Sequence, residues 1–295
     1  MAIARDIQVG AQPRERLQSK RTANLLRLIP VYVAVAFGAI IFAIPFYWMI
    51  RTAVMPTWQI YVFPPDWIPA ELKLENFLIP FKIFPFGTWF LNTIFVSTAA
   101  TLGATASSAC VGFSFARLRF PLRDTLFVIV LATMMLPQQV RLVPTYLLFS
   151  ELGWVNTWLP LIVPQCLAPA FFVFMLRQFF MSIPVEIDEA AFIDGCSPLT
   201  LFWRIHLPLS IPALGVVAIF EFRGMWGDFM NPLIYIRKVK LFTLALGLKL
   251  FQGNMSVRMQ GLMCASLMSI LPLIIMFFVA QRKFIQGIVI SGVKG

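Results

Sequence analysis

The chain has 295 residues, of which 59% are hydrophobic and only 13% charged, and its mean hydropathy is +0.82. Soluble domains carry about 25% charged residues, so this composition excludes an ordinary soluble enzyme and describes a polytopic membrane protein. The net charge of +11 does not make a nucleic-acid reader, because Lys and Arg lie between apolar runs instead of gathering on one face of a soluble fold.

An α-helix needs about 20 apolar residues to cross a bilayer. Six stretches meet that length: Leu28 to Ile50, Trp89 to Phe115, Thr125 to Val143, Trp158 to Phe180, Leu209 to Tyr235 and Gly261 to Ala280. They predict an all-α protein with six transmembrane helices over residues 28–281, flanked by tails at 1–27 and 282–295. The first tail carries Arg5, Arg14, Arg16, Lys20, Arg21 and Arg27. The apolar run after it is too long for a signal-peptide core and reads as a retained anchor. With this tail in the cytoplasm, basic residues are more frequent in the inside segments than outside, as the positive-inside rule requires, and the C-terminus returns to the cytoplasm. Only the last outside loop, with Arg237, Lys238, Lys240, Lys249 and Arg258, runs against the rule.

The first outside loop, Arg51 to Thr88, is long enough to meet another protein. Tryptophans at the predicted membrane edges, among them Trp48, Trp67, Trp89 and Trp158, are explained by interfacial anchoring without a ligand. Prolines inside the spans, such as Pro45, Pro137 and Pro272, permit kinks. Four cysteines, Cys110, Cys166, Cys196 and Cys264, stand apart with no CxxC pair, so neither a metal site nor a disulfide is expected.

Charged groups within the spans are expensive in lipid, about 2.5–3.5 kcal/mol each at the centre, and should face the bundle or a watery cavity. They are Arg141 near the end of the third span and Glu221, Arg223 and Asp228 in the fifth, with Asn231 beside them. On a continuous helix Glu221, Asp228 and Asn231 fall near one face, while Arg223 points about 160° away from Glu221. These groups serve either as packing and gating contacts or as the lining of a solute path.

Between the fourth and fifth spans lies "EAAFIDGCSPLTLFWRIHLPLSIP", Glu189 to Pro212, a polar island on the predicted cytoplasmic side that holds the chain's one histidine, His206. Pro184 suits a helix start, and Glu186, Asp188 and Glu189 sit near the positive end of that helix. Gly195 is the expected stop, Ser197-Pro198 the cap of a second short helix presenting Leu201, Phe202 and Ile205, and Pro208 its end. Two readings stay open on these local signals. One is an amphipathic connector lying on the membrane surface. In the other, Ala190, Ala191 and Gly195 admit a partner backbone, Phe202 inserts as an anchor, and Glu189 and Asp194 make polar contacts at the rim.

The spacing of Glu189, Ala190, Ala191, Asp194, Gly195, Phe202, Ile205, Pro208 and Pro212 resembles the EAA signature of ABC importer permease subunits. "NTIFVSTAATLGATASSACVGFSFARLRFP", "MMLPQQVRLVP", "FFVFMLRQFFMSIP" and the tail "QRKFIQGIVISGVKG" are similar to the carbohydrate-uptake branch, in particular to the second membrane subunit of maltose-type importers. In "WGDFMNPLIYI" the chain departs from that pattern, with Gly227 where an asparagine is usual. The resemblance runs from about Pro30 to Gly295. It implies type I importer architecture in the bacterial inner membrane: a hetero-dimer with a second permease subunit, two cytoplasmic ATP-binding subunits and an extracytoplasmic solute-binding protein. It also implies that residues 182–207 are the coupling element docking on the ATPase, through Glu189, Ala190, Ala191, Asp194, Gly195, Phe202, Ile205 and Pro208. The tail residues Gly292, Lys294 and Gly295 would reach towards the ATPase pair.

No GxxxxGK[ST] occurs, so the chain binds no nucleotide, and ATP and Mg belong to the partner subunits. Neither a catalytic nucleophile with its base nor HExxH is present, and no catalytic role is expected. Sugar or oligosaccharide is the expected cargo, with Arg141, Glu221, Asp228 and Asn231 as candidate path residues. An anionic cargo such as a glycerophosphodiester or acidic oligosaccharide is the alternative. A secondary transporter, which would show inverted repeats, fits less well.

Overall fold

The computed structural model describes the backbone of residues 14–253 and 255–291, and side chains within 28–251, 259–279 and 281. Gly292, Lys294 and Gly295 lie outside the described residues. The main helices are α1 (Arg14–Val54), α2 (Phe86–Arg117), α3 (Arg123–Met134), α4 (Gln138–Glu151), α5 (Ala170–Ser182), α6 (Val185–Ile193), α7 (Pro198–Leu209), α8 (Ile211–Trp226), α9 (Met230–Tyr235) and α10 (Met255–Ser291). Among the described residues four stretches are long and apolar enough to cross a membrane, and up to six if each of two bent pairs is one crossing.

The bends correct two expected spans. Thr125 to Val143 is not one helix: α3 and α4 meet at 99°. Pro137, at φ −57° and ψ 140°, cannot donate a backbone N–H and disfavours a helical residue before it, so the apolar run folds back on itself. Leu209 to Tyr235 is likewise divided. α8 begins after a 75° bend from α7 and stops at Trp226, and α9 starts afresh at Met230.

Helix α2 is the axis of the bundle, packed against α5 and α8, while α10 packs against α1 and α8. The sequence explains the central place of α2: Ala100, Ala104, Ser108, Ala109 and Gly112 form a buried row of small residues that lets neighbouring backbones come close. At Gly112 an added Cβ would lie 3.1 Å from the Leu176 Cβ and 3.2 Å from the Arg177 backbone nitrogen. Any larger residue there would push α5 away.

The ends of the bundle are built differently. At one end Phe113, Leu176, Phe180, Ala191, Leu201, Phe202 and Val217 form a core that joins α2, α5, α6, α7 and α8. At the other, the backbone after α9 is stitched to α2 by neutral side chains. Trp89 Nε1 donates to the Val239 carbonyl at 2.8 Å, and Asn92 Nδ2 donates to the carbonyls of Lys240 at 2.8 Å and Phe242 at 3.0 Å. The Leu244 amide donates to Thr93 Oγ1 at 2.7 Å. Between α1 and α2, Gln59 bonds Asp66, Ile68 and Ala70, and Asn76 Nδ2 donates to the carbonyls of Ala53 and Met55, so this long connection is also ordered.

Candidate functional site

Two features carry the candidate functional residues. The first is the α6–α7 element. Pro184 stands just ahead of α6 in an extended conformation, and Glu186 and Asp188 occupy the first turn, where carboxylates complement the exposed N–H groups. The helix closes with Asp194 N–H donating to the Ala190 carbonyl and Cys196 N–H to the Ala191 carbonyl, with Gly195 at φ +80° between them. That left-handed conformation suits glycine and strains a residue with a Cβ. Ser197 Oγ then accepts from the Thr200 amide at 3.2 Å and caps α7.

Pro208 does not end α7, as its position in the sequence suggests; the helix runs on to Leu209. A π turn over Phe202–His206 widens the helix ahead of the proline and makes room for its ring. Phe202 also departs from expectation. At 4% exposure it packs inward against Phe113, ring centroids 5.0 Å apart, and Ala191 is buried in the same core. Neither is free to enter a partner; both hold the element from beneath, and Ile205 is half-buried beside them.

Glu189, Ala190, Asp194 and Gly195 face outward. With them is an apolar surface that the motif did not flag: Phe192, Ile193 (87% exposed), Leu199 and Trp203. The alternation that would reveal it is blurred, because "AAFI" offers apolar residues to both faces of α6.

Beneath this surface lies a buried polar cluster that the sequence reading missed. Asp188, 5% exposed, is 3.2 Å from Arg117 Nη1 and 2.7 Å from His206 Nε2. Arg117 Nη2 donates to the carbonyls of Phe180 and Ile183 at the end of α5, the first of which also accepts the Ile183 amide at 3.3 Å. Burial lowers the His206 pKa, against the opposing pull of Asp188, and Nε2–H donates to the carboxylate, which can only accept. Removing one member of such a buried pair costs about 3–5 kcal/mol by stranding the other charge. No spacing rule could have found it: its members come from α2, α6 and α7, and Asp188 and His206 are 18 residues apart.

The second feature is a cavity of ≈ 450 Å³ bounded by α4, residues 160–165, α8 and α9. Arg141, Glu221, Asp228 and Asn231, the four candidate path residues, all line it, together with Gln138 and Gln165. They meet for a reason other than one continuous helix face. α8 stops at Gly227, and the turn after it lets Asp228 accept from the Asn231 amide at 3.2 Å and from its Nδ2 at 2.8 Å. Gln138 Nε2 donates to Asn231 Oδ1 at 3.3 Å, tying α4 to α9. Glu221 is 8% exposed, and its Oε1 has no hydrogen-bond partner among the described residues. Arg223 points away, into an apolar groove between α8 and α10 beside Phe220, Leu273 and Phe277.

Residues 108–290 match the model of a family described as "Binding-protein-dependent transport system inner membrane component". The arabinooligosaccharides transport system permease protein AraQ of Halalkalibacterium halodurans is 35% identical over 228 residues, 77% of this chain and 81% of the relative. The sn-glycerol-3-phosphate transport system permease protein UgpE of Escherichia coli O1:K1 is 32% identical over 262 residues, 86% and 93% of the two chains. The fold is that of a chain in the crystal structure of a bacterial ABC transporter involved in the import of the acidic polysaccharide alginate, with a TM-score of 0.77 at 21% identity over 87% of this chain and 96% of the other.

Proposed function

This chain belongs to the family of binding-protein-dependent transport inner membrane components, and from that premise we propose that it is the non-catalytic permease subunit of an ABC importer for a sugar or oligosaccharide. In this reading the chain crosses the membrane six times, with α3 and α4 together as the third crossing and α8 in the fifth, and both termini and the α6–α7 element lie in the cytoplasm. A second permease subunit completes the path as a hetero-dimer, a solute-binding protein delivers the cargo from outside, and two cytoplasmic subunits bind and hydrolyse ATP with Mg.

The observation that carries this reading is the outward face of α6 and α7. Phe192, Ile193, Leu199 and Trp203 form an exposed apolar patch on a rigid helix–Gly195–helix element, rimmed by Glu189 and Asp194. An apolar centre with a polar rim is the anatomy of a docking surface, and the ATPase is its proposed occupant. Gly292, Lys294 and Gly295 are proposed to add contacts to the same ATPase pair. Closure of the ATPase dimer then moves the element and switches access to the cavity.

Carboxylates and amides make up most of the polar lining of the cavity, as suits a polyhydroxyl solute: Glu221 and Asp228 accept from hydroxyls, and Gln138, Gln165 and Asn231 both donate and accept. Among the described residues Arg141 is the one cation lining it, which favours an uncharged sugar over an anionic cargo. The test is co-purification of tagged chain from native membranes in mild detergent, followed by a screen of the accompanying binding protein against neutral and acidic sugars. Recovery of a P-loop ATPase and a second permease supports the reading. Recovery of the chain alone, even after cross-linking, contradicts it.

A further inference from the structure

The docking surface and the bundle are joined through the Arg117–Asp188–His206 cluster, and the way they are joined decides which helices the docking surface can move. Helix α6 has two working faces. Outward it offers Glu189, Phe192 and Ile193; inward it sends Asp188 into the core. The apolar contacts around Ala191, Leu201 and Phe202 resist separation, yet apolar surfaces tolerate sliding because dispersion and burial have no direction. The ion pair does have direction. A slide of α6 along α2 would lengthen the 3.2 Å contact to Arg117 and leave a carboxylate stranded at 5% exposure.

Arg117 is fixed at its other end by the carbonyls of Phe180 and Ile183, so the same guanidinium binds α2, the end of α5 and α6. His206 carries the connection into α7. Its Nε2 holds Asp188 at 2.7 Å while the rings of Phe113 and Phe180, with centroids at 5.0 and 5.8 Å, box it in. Arg117 and Asp188 are the charged groups facing His206, from α2 and α6, while α5 presents the Phe180 ring. By contrast the route from α7 to α8 passes through a 75° bend at Ser210, without a comparable charged tie among the described residues.

We propose that Arg117, Asp188 and His206 are positioning residues for transport. They lock α6 and α7 to the ends of α2 and α5, so that displacement of the docking surface is delivered to those two helices as one rigid body. The proposal rests on the reading of α6–α7 as the ATPase docking element. It adds a load path into α2 and α5 that the motif residues do not contain.

The test uses the whole importer in proteoliposomes, with solute uptake and ATP hydrolysis measured on the same preparation. Asp188→Asn keeps the shape and a hydrogen bond but removes the charge facing Arg117; His206→Gln keeps an N–H donor and removes the ring. Both variants are expected to retain bound ATPase and to hydrolyse ATP, with uptake per ATP lowered by about tenfold, inside the 5–150-fold range of typical coupling energies. A normal ratio of uptake to hydrolysis in an assembled Asp188→Asn importer overturns the proposal. Where Asp188→Asn does not assemble, the ratio in His206→Gln decides by the same criterion. Failure of both to assemble also overturns it, since the cluster would then be a structural staple only. A wild-type importer that lacks an ATPase subunit marks a different failure, that of the docking reading itself.

Discussion

The two ends of the bundle are both tightly held to α2, but by different chemistry. At the end away from α6 a loop is secured by neutral side chains donating to or accepting from backbone groups: Trp89, Asn92 and Thr93 of α2 reach Val239, Lys240, Phe242 and Leu244. At the α6 end, one buried guanidinium, one carboxylate and one imidazole hold four helices together. Many neutral bonds spread a load and fail gradually. A few charged bonds in a dry core are all-or-none, because displacement strands a charge, and that suits a joint that must pass on motion without slipping.

Disrupting each end in turn sharpens the contrast. The largest effect is expected at the docking surface. Ile193→Asp places a charge in the centre of the exposed apolar patch and should weaken ATPase association by about 2 kcal/mol, roughly 30-fold, read by co-purification under fixed detergent. Unchanged recovery would move the interface elsewhere. At the opposite end Asn92→Ala strands two carbonyl groups and should lower stability by about 1.5 kcal/mol, seen as a lower melting temperature, with uptake per ATP unaltered. An effect on that ratio would erase the distinction between the ends.

Between them, in the cavity, Glu221→Gln replaces a carboxyl group with an amide. The solute concentration for half-maximal uptake should rise about fivefold, the equivalent of roughly 1 kcal/mol, while hydrolysis stays coupled. The smallest effect is that of pH. The lowered His206 pKa means that the stability contributed by the neutral ring is present above about pH 6.5 and is lost as the pH falls below it. Amide exchange in α6 and α7 should quicken on acidification, and His206→Gln should flatten that profile.

Much of this was legible in the sequence where apolar length or a cap was the deciding signal. Gly195 and Ser197 occupy the roles their chemistry suggests. The 99° break between α3 and α4 was not legible, because hydropathy continues across Pro137 and reports apolar residues without reporting direction. Phe202 showed the converse problem: a large aromatic in a polar island looks like an anchor for a partner, and burial against Phe113 became visible only in three dimensions. Arg141, Glu221, Asp228 and Asn231 stand out in the sequence as polar groups that lipid would exclude, and they line one cavity, although a turn at Gly227, and not a helix face, unites the last three. The Arg117 cluster left no trace, since long-range ion pairs have no sequence period.

The central claim, that the outward face of α6 and α7 meets the ATPase, is tested most directly by Ile193→Cys in the assembled importer, treated with a short bifunctional thiol and amine cross-linker and analysed by mass spectrometry. A conjugate between this chain and the ATP-binding subunit, absent from the parent importer, is the expected result. Cross-linking to the partner permease alone, or no conjugate beyond that of the parent, would contradict it.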